Sequence, residues 1–192
     1  MISPANLEKE LFIVLIPGGE VKKQAGKIQE LIADNFNIYD KMSRPELHVT
    51  IDRIKKTGIK TSINYIETII NKWDEKVNIA LKSFNCFHQK DDRYLVLKIR
   101  PTKSLIKLSK RIHFGLSKLN LSTIQNYKEW RYHITIVNNA LINKEITKYD
   151  FTKLCELIDG QEKDVISKVE RIEIWQATVN NNEKIIYSKR LP

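Results

Sequence analysis

Cysteine is scarce in this 192-residue chain: Cys86 and Cys155 are the only two, and they form neither a CxxC nor a metal-ligand cluster. They are expected as free buried thiols in a reducing compartment, without a functional role. No apolar stretch approaches the ~20 residues that a membrane helix needs. The longest, Leu11 to Ile16, is strand-sized and lacks the basic flank and small-residue cleavage site of a signal peptide. The chain is therefore expected in the cytoplasm and off the membrane. HExxH, a carboxylate cluster and a Walker-type glycine loop are also missing, which argues against a metal hydrolase and against ATP-dependent ligation by this chain alone. No metal or cofactor is expected. No Pro-rich linker, low-complexity tract or block of like charges divides the sequence.

What the chain does have is 42% hydrophobic residues, enough for the core of one ordinary domain. The 33 Lys and Arg against 23 Asp and Glu give a formal charge of +10, a field that attracts nucleotides, RNA or another polyanion. Lysines spread along the chain equally fit a solvated surface.

Hydrophobic periodicity gives an order of elements. Leu11 to Ile16 reads as a strand closed by Pro17-Gly18-Gly19, and Val21, Ala25, Ile28 and Ile32 mark a helix face. ELHVTI, from Glu46 to Ile51, is a strand; Ile63, Ile66, Ile70 and Trp73 mark a second helix. Strands follow at Val77 to Leu81 and Tyr94 to Ile99. The plan then restarts. Leu105, Leu108, Ile112, Leu116 and Leu119 form a helix stripe, RYHITIV (131–137) is a strand, and Phe151, Leu154 and Ile158 mark a helix. Two closing strands lie near Val169 to Gln176 and Lys184 to Ser188. An offset of about 85 positions, the spacing of His48 from His133, brings each helix close to a counterpart. That agreement predicts an internal duplication in one two-lobed domain over 1–192, with repeats at about 8–92 and 93–192.

The two strands ELHVTI and RYHITIV share an HxT pattern. Strand residues two apart point to one face at ~7 Å spacing, so His48 with Thr50, and His133 with Thr135, each present an imidazole and a hydroxyl together. With four histidines and ten threonines, chance predicts about 0.2 HxT occurrences per such chain, which makes two in equivalent strands informative. If the strands meet across the pseudo-twofold axis, the four groups surround one point, where a phosphodiester fits. In-line displacement at phosphorus requires a base for the attacking oxygen, an acid for the leaving oxygen and donors for the non-bridging oxygens. Imidazoles, with an ordinary pKa of ~6.5, serve as acid or base, and threonine hydroxyls serve as donors.

HVT and HIT in twin strands of a chain this long resemble the 2H phosphoesterase superfamily, which includes LigT-like 2',5' RNA ligases and 2',3'-cyclic phosphodiesterases. The resemblance runs from LFIVLIP, similar to the family's opening strand, to KIIYSKRLP, similar to its closing one. It implies an α+β fold, two-lobed and duplicated, with antiparallel sheets facing a central cleft and helices outside. It also implies catalytic roles for His48, Thr50, His133 and Thr135. The activity implied is metal-independent cleavage of a 2',3'-cyclic phosphate or a 2'-linked diester of RNA or a nucleotide, with 2',5' ligation as its reverse. The analogy leans to His133 as the base that activates water and His48 as the acid. A phosphodiesterase of cyclic oligonucleotides and an RNA-binding module without turnover stay open as alternatives. The partner is RNA or a nucleotide, and a monomer is expected.

Arg131 shares the His133 face by strand parity and is a candidate substrate-binding residue through a phosphate oxygen; a solvated strand-edge arginine fits equally. Glu46 and Asp52 share the His48 face, as orienting groups or as rim residues. Trp130 and Tyr132 read as packing. Phe12 lines either cleft or core, and His88 and His113 read as structural or surface residues.

Overall fold

The computed structural model describes residues 5–36, 38, 44–89, 92–138, 146–161, 164–178 and 181–192. The first half of the chain runs β1 (Glu10–Pro17), α1 (Gly19–Phe36), β2 (Val49–Lys55), α2 (Ile59–Ile70) and β3 (Asn78–Gln89). The second runs β4 (Asp92–Arg100), α3 (Lys103–Lys118), β5 (His133–Asn138), α4 (Lys148–Ile158) and β6 (Ile166–Gln176). A short α5 (Asn181–Lys184) and β7 (Ile185–Arg190) close the chain. The order β-α-β-α-β thus occurs twice, as the periodicity implies.

Local chemistry accounts for the element ends. Gly19 opens α1 at φ +51°, a left-handed conformation that a side chain resists. Thr102 and Thr147 cap α3 and α4, their hydroxyls accepting from the Leu105 and Asp150 amides. Such caps are each worth about 1 kcal/mol.

The strands build one open antiparallel sheet in the order β2-β1-β6-β3-β4-β5, with β7 on β6. It divides at β6. Residues Ile166–Lys168 pair with β3, while the rest of the strand lies between β1 and β7. One wing is therefore β2-β1-β6-β7 and the other β3-β4-β5, so β6 and β7 of the second half join the first wing and β3 of the first half joins the second.

The main core lies between the sheet and its helices, where Leu11, Ile13, Leu15, Val49, Ile51 and Ile54 meet the apolar stripes of α1 to α4. The opposite face of β1 carries a smaller apolar cluster of Val14, Ile16 and Trp175 with Phe12 packed on it. Burial on both faces explains why β1 reads as the unbroken run LFIVLI rather than as an alternation.

Two expectations are corrected here. Cys86 on β3 and Cys155 on α4 are not free thiols; they form a disulfide, with Cα atoms 6.3 Å apart, inside the usual 4.4–6.8 Å or so for such bridges. Packing of α4 on β3 brings together residues 69 apart in sequence, a proximity that cysteine count and spacing do not carry. The inference to a reducing compartment loses its cysteine argument. Among the described residues no helix is long and apolar enough to cross a membrane.

The second correction concerns Asp52, which strand parity assigns to the His48 face. In the β1–β2 ladder Val14 faces Thr50 but Ile13 faces Asp52, so β2 carries one extra residue at Ile51. This bulge reverses the alternation. Asp52 turns inward and is fully buried. There its carboxylate accepts from the Arg53 amide at 2.8 Å and the Ser122 hydroxyl at 2.8 Å, and contacts His113 Nδ1 at 3.2 Å.

Candidate active site

The same bulge recurs in the second half. Val96 faces Thr135 and Leu95 faces Val137, so the register steps over Ile136, which is 85 positions after Ile51. Both HxT segments therefore enter the sheet in one geometry, with the middle residues Val49 and Ile134 fully buried and the His and Thr residues half-buried. The histidines stand at strand entrances: His48 directly precedes β2 and His133 is the first residue of β5.

At that position each imidazole is held by the backbone just upstream. His48 Nδ1 lies 2.7 Å from the Glu46 carbonyl oxygen, and His133 Nδ1 lies 3.1 Å from that of Arg131. Donation from Nδ1–H to the carbonyl fixes the tautomer and leaves Nε2 as the nitrogen with a lone pair. Neither Nε2 nor the Thr50 and Thr135 hydroxyls make a hydrogen bond among the described residues. β2 and β5 approach each other, and the Trp130 indole N–H, donating to the Thr50 carbonyl at 3.0 Å, ties the segment before β5 to β2.

The surroundings of the two imidazoles differ. The His48 ring lies 4.5 Å from that of Trp175, tilted by 54°. Lys184 Nζ sits 3.7 Å from the Trp175 ring centroid and 3.1 Å from Glu46 Oε2. Burial, together with the positive charges of Lys184 and His133, pushes the His48 pKa down to about 4 against the pull of the Glu46 carbonyl. Burial alone lowers that of His133, opposed by its bond to the Arg131 carbonyl. Lys98, exposed on β4, is the cross-strand partner of His133.

Of the other sequence candidates, Arg131 reaches the site through its carbonyl. Its guanidinium is exposed and donates to the Lys128 and Trp130 carbonyls at 3.1 and 3.3 Å, because the residue precedes the strand and parity does not govern it. Tyr132 packs on the core, its hydroxyl 2.6 Å from Ser109 Oγ. Phe12 joins the Trp175 cluster. His113 is buried, stacked on Tyr127 at 3.8 Å and bound to Asp52. The His88 side chain lies outside the described residues. Trp175, Lys184 and Lys98 are site neighbours that sequence reasoning missed; Lys98 alone had a local signal, as a charged residue in an apolar strand register. Among the described residues no three His, Cys, Asp or Glu side chains cluster as metal ligands.

The sheet thus splits at β6 with one HxT strand in each wing. Solved structures of similar fold include TT0787 of Thermus thermophilus (TM-score 0.63, 11% identity, 95% of this chain and 97% of that one). LigT of E. coli complexed with 3'-AMP (0.58, 12%, 95% and 98%) and Usb1 of Kluyveromyces marxianus (0.53, 10%, 96% and 98%) are others. No curated protein matches by sequence. The family model described as the AKAP7 2'5' RNA ligase-like domain matches residues 12–182. The chain belongs to that family, and through it to the 2H phosphoesterase superfamily, which supports phosphodiesterase or RNA ligase-like chemistry.

Proposed function

We propose that the protein is a metal-independent phosphodiesterase acting on a 2',3'-cyclic phosphate or 2'-linked diester of RNA or a nucleotide, with His48, Thr50, His133 and Thr135 as its catalytic groups. The observation that carries this reading is the twin arrangement itself: two imidazoles fixed through Nδ1 by a carbonyl two residues upstream, each beside an unengaged threonine hydroxyl. The matching bulges after both motifs support descent of the two halves of the chain from one repeat.

One neutral Nε2 takes a proton from water as its oxygen attacks phosphorus. The opposite imidazolium gives its Nε2 proton to the departing ribose oxygen as the P–O bond breaks. Thr50 and Thr135 donate to the non-bridging oxygens as charge builds on them. We assign the base to His48 and the acid to His133, the reverse of the family analogy. His48 is neutral over most of the pH range, because a proton there is opposed by burial and by Lys184. The His133 pKa is lowered by burial with no contribution from Lys184, so the charge that opposes a proton on His48 does not act on His133. Lys184 and Lys98 supply positive charge for the phosphate, and Arg131 orients His133 through its carbonyl. With a ribose 5'-hydroxyl in place of water as the attacking oxygen, the same proton transfers join it to a 2',3'-cyclic end as the P–O3' bond breaks.

The test is hydrolysis of nucleoside 2',3'-cyclic phosphates, RNA bearing a 2',3'-cyclic end, 2'-5' linked oligonucleotides and cyclic dinucleotides, by the protein and by His48→Ala. Turnover of one of the first three, lost in the variant, is expected. Turnover confined to cyclic dinucleotides would move the substrate class. Affinity for RNA with no turnover of any of the four would overturn the enzymatic reading in favour of a binding module.

A further inference from the structure

The charge of the chain is not spread evenly. Residues 93–128 contain nine Lys and Arg and no Asp or Glu, which leaves 24 basic against 23 acidic residues elsewhere. Nearly all of the net +10 therefore belongs to one segment, and α3 is its centre. On the outer face of this helix, away from the core stripe, Lys110, Arg111, Phe114 and Lys118 are exposed. They line an open groove of about 460 Å³ with Tyr65 of α2 and Leu119.

The groove is built by a close approach. The Tyr65 hydroxyl donates to the Arg111 carbonyl at 3.2 Å, and a Cβ on residue 115 would lie 1.7 Å from that hydroxyl, so Gly115 is what lets the ring lie against α3. Phe114 is 53% exposed, although aromatic rings normally seek burial. It stands edge-on to His113 at 5.3 Å and to Tyr127 at 6.2 Å, which braces it in the exposed position. Lys110, Arg111 and Lys118 have no carboxylate partner among the described residues, whereas Lys107, one turn back, is paired with Glu75.

We propose that this groove is a binding site for single-stranded RNA, separate from the histidine cleft. Bases stack on Phe114 and Tyr65, and Lys110, Arg111 and Lys118 contact the phosphates. Unpaired cations interleaved with ring faces in a concave, carboxylate-free surface are what a flexible polyanion with planar bases requires. An anionic membrane takes up a longer apolar face than the exposed Phe114 and Leu119 provide, and an acidic peptide offers nothing planar for the rings. The site goes beyond the phosphodiester chemistry of the cleft, and it is read by binding alone, so failure of that chemistry leaves this proposal testable.

The experiment is fluorescence anisotropy with a labelled single-stranded RNA of about 12 nucleotides ending in a plain 3'-hydroxyl, within the usual span of such sites. Phe114→Ala is expected to weaken binding about tenfold, the usual cost of one lost base stack. Lys110→Glu/Lys118→Glu is expected to weaken it at least as much and to flatten the log–log salt dependence by roughly one to two. The control pair Lys22→Glu/Lys27→Glu, exposed on α1 and equal in net charge, is expected to lose far less. Hydrolysis of a nucleoside 2',3'-cyclic phosphate is expected to be unchanged in Phe114→Ala. Wild-type affinity in Phe114→Ala, or equal losses in the two charge-reversed pairs, would overturn the proposal. So would Phe114-dependent binding to phosphatidylserine vesicles or to a polyglutamate peptide in place of RNA.

Discussion

The two HxT segments are alike in backbone and unlike in surroundings, and the contrast separates what the motif specifies from what the fold adds. Each copy has a buried middle residue, a carbonyl on Nδ1 and a bulge directly after the threonine. These features depend on residues within a few positions of the histidine. The neighbours come from elsewhere: His48 meets Trp175 and Lys184 from β6 and α5, whereas His133 meets Lys98 from β4. A local pattern thus builds two equivalent imidazoles, and the crossing of β6 into the first wing makes them inequivalent. In the mechanism proposed above one imidazole is empty of a proton while the other holds one, and unlike surroundings favour one of the two arrangements.

The largest expected effect comes from removing either copy. His48→Ala and His133→Ala should each lower turnover of a cyclic phosphate by about 100-fold to 10,000-fold, measured as kcat/KM, since a general acid or base typically contributes that much. Near-normal turnover in one of them would show that the copies do not share the chemistry.

The wings differ next in covalent support, because the only disulfide joins β3 and α4 on the His133 side. A loop of 69 residues closed in the unfolded chain corresponds to about 4 kcal/mol of stability. Dithiothreitol, or Cys155→Ser, should lower the melting temperature by roughly 10 °C in a chain of this size. An unchanged melting temperature would mean that the bridge constrains nothing in the unfolded state.

Smaller losses test the donors. Thr50→Ala and Thr135→Ala should each cost about tenfold in kcat with little change in KM, the pattern for a hydrogen bond to charge that develops in the transition state. A change confined to KM would make them ground-state contacts.

The smallest effect bears on the asymmetry directly. Lys184→Met removes a positive charge that opposes protonation of His48, so the His48 pKa should rise and the acid limb of the pH–rate profile should move toward neutrality. The alkaline limb, set by His133, should stay in place. Movement of both limbs together would show that the lysine does not distinguish the two imidazoles.

Much of this is legible in the sequence alone. Apolar periodicity finds the major helices and strands because each element buries one face, and β1, buried on both, still shows itself as LFIVLI, whereas β3 continues to Gln89, past the alternation that ends at Leu81. The HxT pairs are legible because their spacing is local and repeated. Asp52 is misplaced by parity because a bulge leaves no mark in the side-chain alternation on which parity depends. The Arg131 guanidinium lies exposed, the solvated placement that its sequence position also fits, because strand geometry begins two residues later. Trp175, Lys184 and the Cys86–Cys155 bridge depend on which distant strand lies beside which, and a single sequence does not encode that in any local pattern.

The most direct test of the account is kcat/KM against pH for a 2',3'-cyclic phosphate substrate, measured in EDTA. The sign follows from the pKa directions. His48 must lose its proton to act as base, so the rate rises through its pKa of about 4. His133 must keep its proton to act as acid, so the rate falls through a pKa lowered from 6.5. The account predicts a bell with its maximum on the acid side of pH 6.5, unaffected by the chelator. A rate abolished by EDTA and restored by Mn²⁺, or one that climbs steadily into alkaline pH, would contradict paired-histidine catalysis.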